Sequence, residues 1–335
     1  VFALLVLFHE FGHFMLAKMT GMRVDEFAIG FGPKLAGFKK GETQYSVRCI
    51  PLGGFNRISG MDPEDVQDER SYKNKPVWAR MAVILAGSFM NFVLPVILFI
   101  IIFISSGIST PSQEPVLGKV IENKAAAAAG LAMGDRILEI NSEKVESWRD
   151  FVAKLQQGEG KVLAVKYERG GAEFTTSLIP EYDEASKKAI IGVMSSVDTR
   201  YPSAAESVGL AFSQTGYIIF AILDGLWQIV AGTAEADLAG PIGVAQMAGQ
   251  VAQLGFVPLL QFAAYLSINL GIINLLPLPA LDGGHFVLLC LEFVRRKPLS
   301  DKCLQYVQAV GVALLLSLML LATYRDFLRF NLFGG

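Results

Sequence analysis

Apolar residues along this chain are gathered into blocks. The longest, Ala82 to Ile104, runs 23 residues without a charge, and about 20 apolar residues are enough to cross a bilayer as a helix. Trp78 and Arg80 precede it, where interfacial anchors belong. A second block runs from Leu254 to Leu281 and meets its first charge at Asp282. A third, Val307 to Thr323, ends before Arg325. The chain also opens apolar, from Val1 to Phe8, and continues past two histidines to Leu16 and Ala17. Eight apolar residues are too few to begin a span and there is no initiator Met, so the pattern predicts a trimmed N-terminus and a longer first helix. Neither a basic n-region nor a small-residue cleavage site marks a signal peptide. A fifth stretch, Val208 to Val230, carries Gln214, Asp224 and Gln228. Aspartate is costly in mid-membrane, so the stretch reads as an amphipathic helix lying on the interface.

Two segments have other textures. Residues 21–78 are glycine-rich with alternating apolar positions, as in Glu26–Gly32 and Tyr45–Phe55. They predict a β-hairpin region beside or within the membrane, packed on protein because unpaired backbone cannot face lipid. Its exposed edge can pair with an extended peptide. Residues 115–182 read as a small α+β domain. Val162–Arg169, the turn Gly170-Gly171 and Ala172–Ile179 form a strand–turn–strand pattern, and Trp148, Phe151, Val152 and Leu155 have helical spacing. Within it, Gly130–Asn141 resembles the turn-plus-strand segment of a bacterial PDZ domain, a module that binds an extended peptide at a sheet edge.

The predicted fold class is a multi-pass α-helical membrane protein with about four transmembrane helices, a membrane-associated β-hairpin region and an inserted α+β PDZ-like domain. Helices are expected over 1–20 and 79–108, within 254–292, and over 304–328, with an interfacial helical region at 203–250. Composition agrees: 52% of residues are hydrophobic and only 18% charged, against about 25% in soluble domains. A net charge of −2 gives no basic footprint for nucleic acid. Cys49, Cys290 and Cys303 have no metal-site or disulfide spacing. Lys and Arg crowd the Lys18–Arg80 loop and the short Glu292–Lys302 connection, which predicts that both are cytoplasmic and that the PDZ-like insert is extracytoplasmic. The expected location is a bacterial-type cytoplasmic membrane.

The chemistry is concentrated in few polar residues. His9-Glu10-Phe11-Gly12-His13 is an HExxH motif, and it uses two of the chain's 3 histidines. On a helix its histidines lie one turn apart and can ligate one metal ion, with the Glu placed to take a proton from water. Roughly one shuffled chain in 700 would carry the motif by chance. Its helix is apolar, and Glu10 has no basic partner nearer than Lys18. A catalytic zinc site takes three protein ligands, so a third polar residue is required at depth. Asp282 is the first candidate, at the end of Asn274-Leu-Leu-Pro277-Leu-Pro279-Ala-Leu281, where two prolines break the helix. His285 is its competitor, and Asp282 as a helix N-cap is the purely structural alternative.

HEFGH in the first helix, followed by Asn274–Gly283 in a later one, resembles the site-2 protease family of intramembrane zinc metalloproteases. The PDZ-like insert and Pro51–Phe55 are similar to its bacterial RseP-like type. The resemblance implies Zn2+ held by His9, His13 and Asp282, with Glu10 as catalytic base. It also implies that Asn91, in Gly87-Ser-Phe-Met-Asn91, and Asn274 hold the substrate backbone. Helix–helix hydrogen bonding is the competing reading for both amides. The implied partners are single-span membrane protein substrates, such as anti-sigma factors or signal-peptide remnants, the lipid bilayer, and a peptide ligand of the PDZ-like domain. Some relatives carry two tandem PDZ domains, whereas this chain has room for one. A non-catalytic membrane scaffold and a metal transporter are the other function classes. Transporters often show internal repeats, and the HExxH segment has no second copy.

Overall fold

A computed structural model of the chain describes residues 1–61, 68–183, 188–234 and 240–329. Parts of the expected 21–78 and 203–250 regions therefore lie outside the described residues. The chain forms two compact units, one of Val1–Ser106 with Ser203–Gly335, the other Gly107–Pro202.

The first unit opens with helix α1, Phe2–Met19, apolar nearly all round. It stops where Thr20 Oγ1 bonds back to the Leu16 carbonyl at 2.7 Å and Gly21 takes φ +71°. Strands β1, Val24–Lys40, and β2, Thr43–Ile58, follow. Their register is a hairpin folded on itself. Lys40↔Thr43 through Lys34↔Arg48 form the hairpin proper, while Phe27–Ile29 pair with Asn56–Gly54 on one side and Tyr45–Val47 on the other. The start of β1 is thus covered on both edges, and the end of β2 becomes the outer strand nearest α1. Lys18 and Arg70 both bond Glu42 at 2.7 Å, and these cations hold its carboxyl down at about 2.

Helix α2, Val77–Ser106, is 30 residues long. Gly12 of α1 meets it so closely that a Cβ would lie 2.2 Å from the Ala86 carbonyl. Pro95 is buried inside α2. Having no N–H, it leaves the carbonyl four residues back, that of Asn91, without its helical donor. Ser267 from a later helix supplies one, Oγ to Asn91 O at 2.8 Å.

The second unit is β-rich. Strand β3, Ile108–Pro111, pairs with β12, Val197–Arg200; β4, Leu117–Val120, pairs with β11, Val193–Ser195; and β9, Glu181–Asp183, pairs with β10, Lys188–Ile190. A four-stranded sheet has the order β6 (Glu143–Lys144), β5 (Arg136–Ile140), β7 (Leu163–Arg169), β8 (Ala172–Leu178). Helices α3, Ala125–Ala128, and α4, Trp148–Gln157, complete it. Ser147 caps α4 by accepting from the Asp150 N–H. Leu117, Ile137, Phe151, Val165 and Ile191 fill the core. Asp135 is fully buried and takes Arg169 Nε at 2.6 Å and Nη2 at 2.7 Å, with Ala132 N–H at 2.8 Å. Only the carboxylate is buried, Arg169 being about half exposed, so losing its partner costs about 1–3 kcal/mol. Arg169→Leu should therefore destabilise this unit by about that amount, read as a lower midpoint in denaturant; an unchanged midpoint would refute the role given to the pair.

The first unit resumes with α5, Ala204–Val230, then α6, Pro241–Gln253, α7, Phe256–Leu275, α8, Asp282–Arg295, and α9, Asp301–Arg329. Among the described residues, five helices are long and apolar enough to cross a membrane: α1, α2, α5, α7 and α9. Four of these are the helices expected to cross; the fifth, α5, was expected to lie on the interface and is also long and apolar enough to cross. Its Ala211 packs in one cluster with Leu94 and Leu98 of α2 and Ala263 of α7, and Asp224 accepts from Gln228 one turn on, at 2.7 Å. Arg80 is no free interfacial anchor: Nη2 lies 2.5 Å from Glu292 Oε1, which ties α2 to α8. Asp326 of α9 is buried and accepts from the Gly240 and Gly243 N–H groups at 3.0 and 2.8 Å, capping α6.

Candidate metal centre

Three elements bring the site together, and each does so for a local reason. Helical spacing on α1 puts His9 and His13 on one face. The Pro277–Pro279 break ends α7 at Leu275, since residues before proline are driven extended, and Leu276 is extended at ψ 141°. The chain then doubles back through Ala280, at φ +73°, and α8 begins with Asp282. The doubling back needs Gly283 and Gly284, because a Cβ on either would lie 2.3 Å or less from the carbonyls of Leu275, Leu276 or Leu278. Leu281 is the N-cap of α8 and Asp282 its first residue; the Asp282 carboxylate faces the histidines.

His9 Nε2 lies 3.1 Å from His13 Nε2 and 3.4 Å from Asp282 Oδ2, and His13 Nε2 lies 3.5 Å from the same oxygen. A tetrahedral zinc about 2.0–2.2 Å from N and O donors requires donors about 3.3–3.6 Å apart. The three atoms meet that demand nearly as they stand. Among the described residues they are also the one group of His, Cys, Asp and Glu side chains close enough to share a metal ion. His285 stands outside the group. It lines a cavity of about 300 Å³ with Tyr72, Arg80 and Glu292.

Helix α2 forms the wall behind the donors. His13 Nδ1 donates to the Val83 carbonyl at 2.8 Å, Asn91 Nδ2 is 3.3 Å from His9 Nδ1, and Ser88 Oγ is 3.5 Å from Asp282 Oδ2. Gly87 lies between them: a Cβ there would sit 2.3 Å from His13 Nε2 and 2.7 Å from His9 Cε1. The outward residue Phe89 is 64% exposed, so the polar residues of this helix share its inner face.

Asn91, expected either to hold the substrate backbone or to bond between helices, lies against His9. Asn274, at the end of α7, is half-buried. Sequence reasoning missed Asn56. From β2 its Nδ2 donates to Glu10 Oε2 at 2.8 Å and to the Glu10 carbonyl at 2.5 Å. The only sequence signal was an amide beside two glycines in an apolar strand. Gly54 adds to the fit, because its Cβ position is 3.4 Å from Glu10 Cγ. Misplacing a reacting group by an ångström can cost about 100-fold. Asn56→Val should thus lower kcat by about 10–100-fold with zinc content and KM little changed; full activity would show that Glu10 needs no such hold.

Comparison with known proteins gives the site its context. The model of Peptidase family M50 matches residues 1–318. The regulator of sigma-W protease RasP from Bacillus subtilis is 35% identical over 410 aligned positions, covering 98% of this chain and 97% of its own. The zinc metalloprotease RasP of Bacillus licheniformis is 34% identical, with 98% and 97% covered. Among solved structures, the PDZ domain of the SdrC-like protein Lin2157 from Listeria innocua is similar at 21% identity over 27% of this chain and 99% of that one, with a TM-score of 0.23. A match running from before the first histidine to well past Asp282 means that the chain belongs to Peptidase family M50, the zinc metalloproteases of site-2 protease type.

Proposed function

We propose that this protein hydrolyses peptide bonds in or near the transmembrane segments of single-span membrane proteins, with zinc held by His9, His13 and Asp282. The observation that carries the reading is the donor trio itself, three atoms at zinc spacing, two of them on α1, a helix apolar enough to cross a bilayer. When bound, zinc polarises the scissile carbonyl and acidifies the attacking water.

The chain's own groups do the rest. Asn56 occupies Glu10 Oε2, which leaves Oε1 to accept a proton from the water as its oxygen bonds to the carbonyl carbon. Glu10 then gives that proton to the amide nitrogen as the C–N bond breaks. A transmembrane helix hides its carbonyls in its own hydrogen bonds, so the substrate must be unwound first. The outer segment of β2, Gly54–Asn56, runs beside Glu10 and can hold the extended peptide by strand pairing. The Asn274 side chain, with no hydrogen bond to the described residues, is available to hold the substrate backbone.

The basic loops are assigned to the cytoplasm and the PDZ-like domain to the other side, where it screens substrates by their extracytoplasmic portion or terminus. Substrates of the anti-sigma-factor or signal-peptide-remnant kind fit this arrangement, and the B. subtilis relative is named for sigma-W regulation. The test is cleavage of a tagged single-span protein in liposomes containing the purified chain, with the cut mapped by mass spectrometry. Cuts inside or at the border of the span support the reading. Cuts confined to soluble portions overturn it.

A further inference from the structure

The nitrogen atoms of His9 present a problem that its neighbour can solve. Its Nε2 faces His13 and Asp282, so that nitrogen must carry the lone pair if His9 is a metal ligand. A neutral imidazole then has its proton on Nδ1. Nδ1 lies 3.3 Å from Asn91 Nδ2, a donor, and two donors cannot share a hydrogen bond. The Asn91 side-chain oxygen, Oδ1, is meanwhile buried with no hydrogen-bond partner among the described residues. One half-turn of the amide resolves both. The oxygen and nitrogen of an amide exchange places without moving the rest of the side chain, and the hydrogen-bond network decides which faces the ring.

We propose that Asn91 is a positioning residue for the metal, its amide oxygen accepting from His9 Nδ1–H so that His9 Nε2 is held, unprotonated, toward His13 and Asp282. The proposal rests on His9, His13 and Asp282 being the zinc ligands. The rest of α2 acts in the same sense. His13 already directs Nδ1–H to the Val83 carbonyl at 2.8 Å, and the Gly87 carbonyl also meets the His9 ring, so both ligand histidines are oriented from one helix, by residues 83, 87 and 91. Asn91 is itself held rigidly: its side chain is fully buried, and its backbone carbonyl, freed by Pro95, is bonded by Ser267 at 2.8 Å. Hydrogen-bond partners of metal-ligating histidines typically account for 10–100-fold in metal affinity.

The test is zinc affinity of the purified full chain, measured by competition with a chelator, alongside the thermal stability of the metal-free protein. Asn91→Leu, which fills the space and accepts nothing, should bind zinc about 10–100-fold more weakly. Asn91→Asp keeps an acceptor and lacks any N–H, and should stay within about threefold of wild type. Wild-type affinity in Asn91→Leu overturns the proposal, as does an Asn91→Asp chain that falls as far as Asn91→Leu. Loss of metal-free stability with unchanged zinc affinity overturns it too, and leaves Asn91 as helix packing alone. Should Asn91→Leu fail to fold, the Asn91→Asp affinity decides. His9→Ala is the control: a chain that keeps wild-type zinc affinity without His9 overturns the ligand set, whatever Asn91 does.

Discussion

Glu10→Gln should lower peptide hydrolysis by about 100- to 10,000-fold, the usual contribution of a general base, while zinc stays bound. The separation of effects follows from position. Glu10 stands beside the donor trio but does not belong to it. Its carboxylate is held by Asn56 at 2.8 Å, and that bond survives the substitution because the amide oxygen of a glutamine side chain still accepts it. The shape of the site and its ligands are kept, and only the ability to take up a proton is lost. The decrease should therefore appear in kcat with KM little changed, as for an interaction needed only in the transition state. Single-turnover cleavage of a membrane-embedded substrate measures it. Cleavage at the wild-type rate would remove Glu10 from the mechanism.

Gly87→Ala should be as damaging by a different route, through loss of the metal. The added methyl group would lie 2.3 Å from His13 Nε2, 2.6 Å from His13 Cε1 and 2.7 Å from His9 Cε1. Rings must shift to admit it, and shifting a ring by even about half an ångström spoils donor geometry. The neighbouring Gly12 contact with Ala86 holds α1 close to α2, so the helices cannot simply part. Expected are at least about a 10-fold fall in zinc affinity and cleavage near background, with the helical circular dichroism spectrum retained. An alanine variant that binds zinc normally would mean that the helices yield where the packing says they do not.

Much of this site was legible in the sequence because spacing and solvent leave few options. HExxH brings two histidines and a glutamate together by helical geometry alone, and Asp282 stood out as a charge ending an apolar block at two prolines. What could not be read was the wall. The inner face of α2 consists of Gly87, Ser88 and Asn91, whose roles depend on which helix face meets α1. A single sequence with an apolar helix of this length does not mark that face. Asn91 consequently read as a substrate contact or helix glue, and it is turned toward His9. Asn56 escaped notice because its partner, Glu10, lies 46 residues away and is brought near only by the folded hairpin. The link from Pro95 through the Asn91 backbone carbonyl to Ser267 joins α2 to α7, two segments that no local pattern connects. On α5 the sequence shows Asp224 alone, whereas the fold gives it Gln228 as a donor one turn on.

Zinc content settles the ligand assignment most directly. Mass spectrometry of metals in the purified chain should find about one zinc per chain in the wild type and in Glu10→Gln, as expected of a single mononuclear site. It should find less than about a tenth of that in Asp282→Ala, which removes one of three protein ligands. Equal zinc in Asp282→Ala and wild type, or none in the wild type, would contradict a metal centre built from His9, His13 and Asp282.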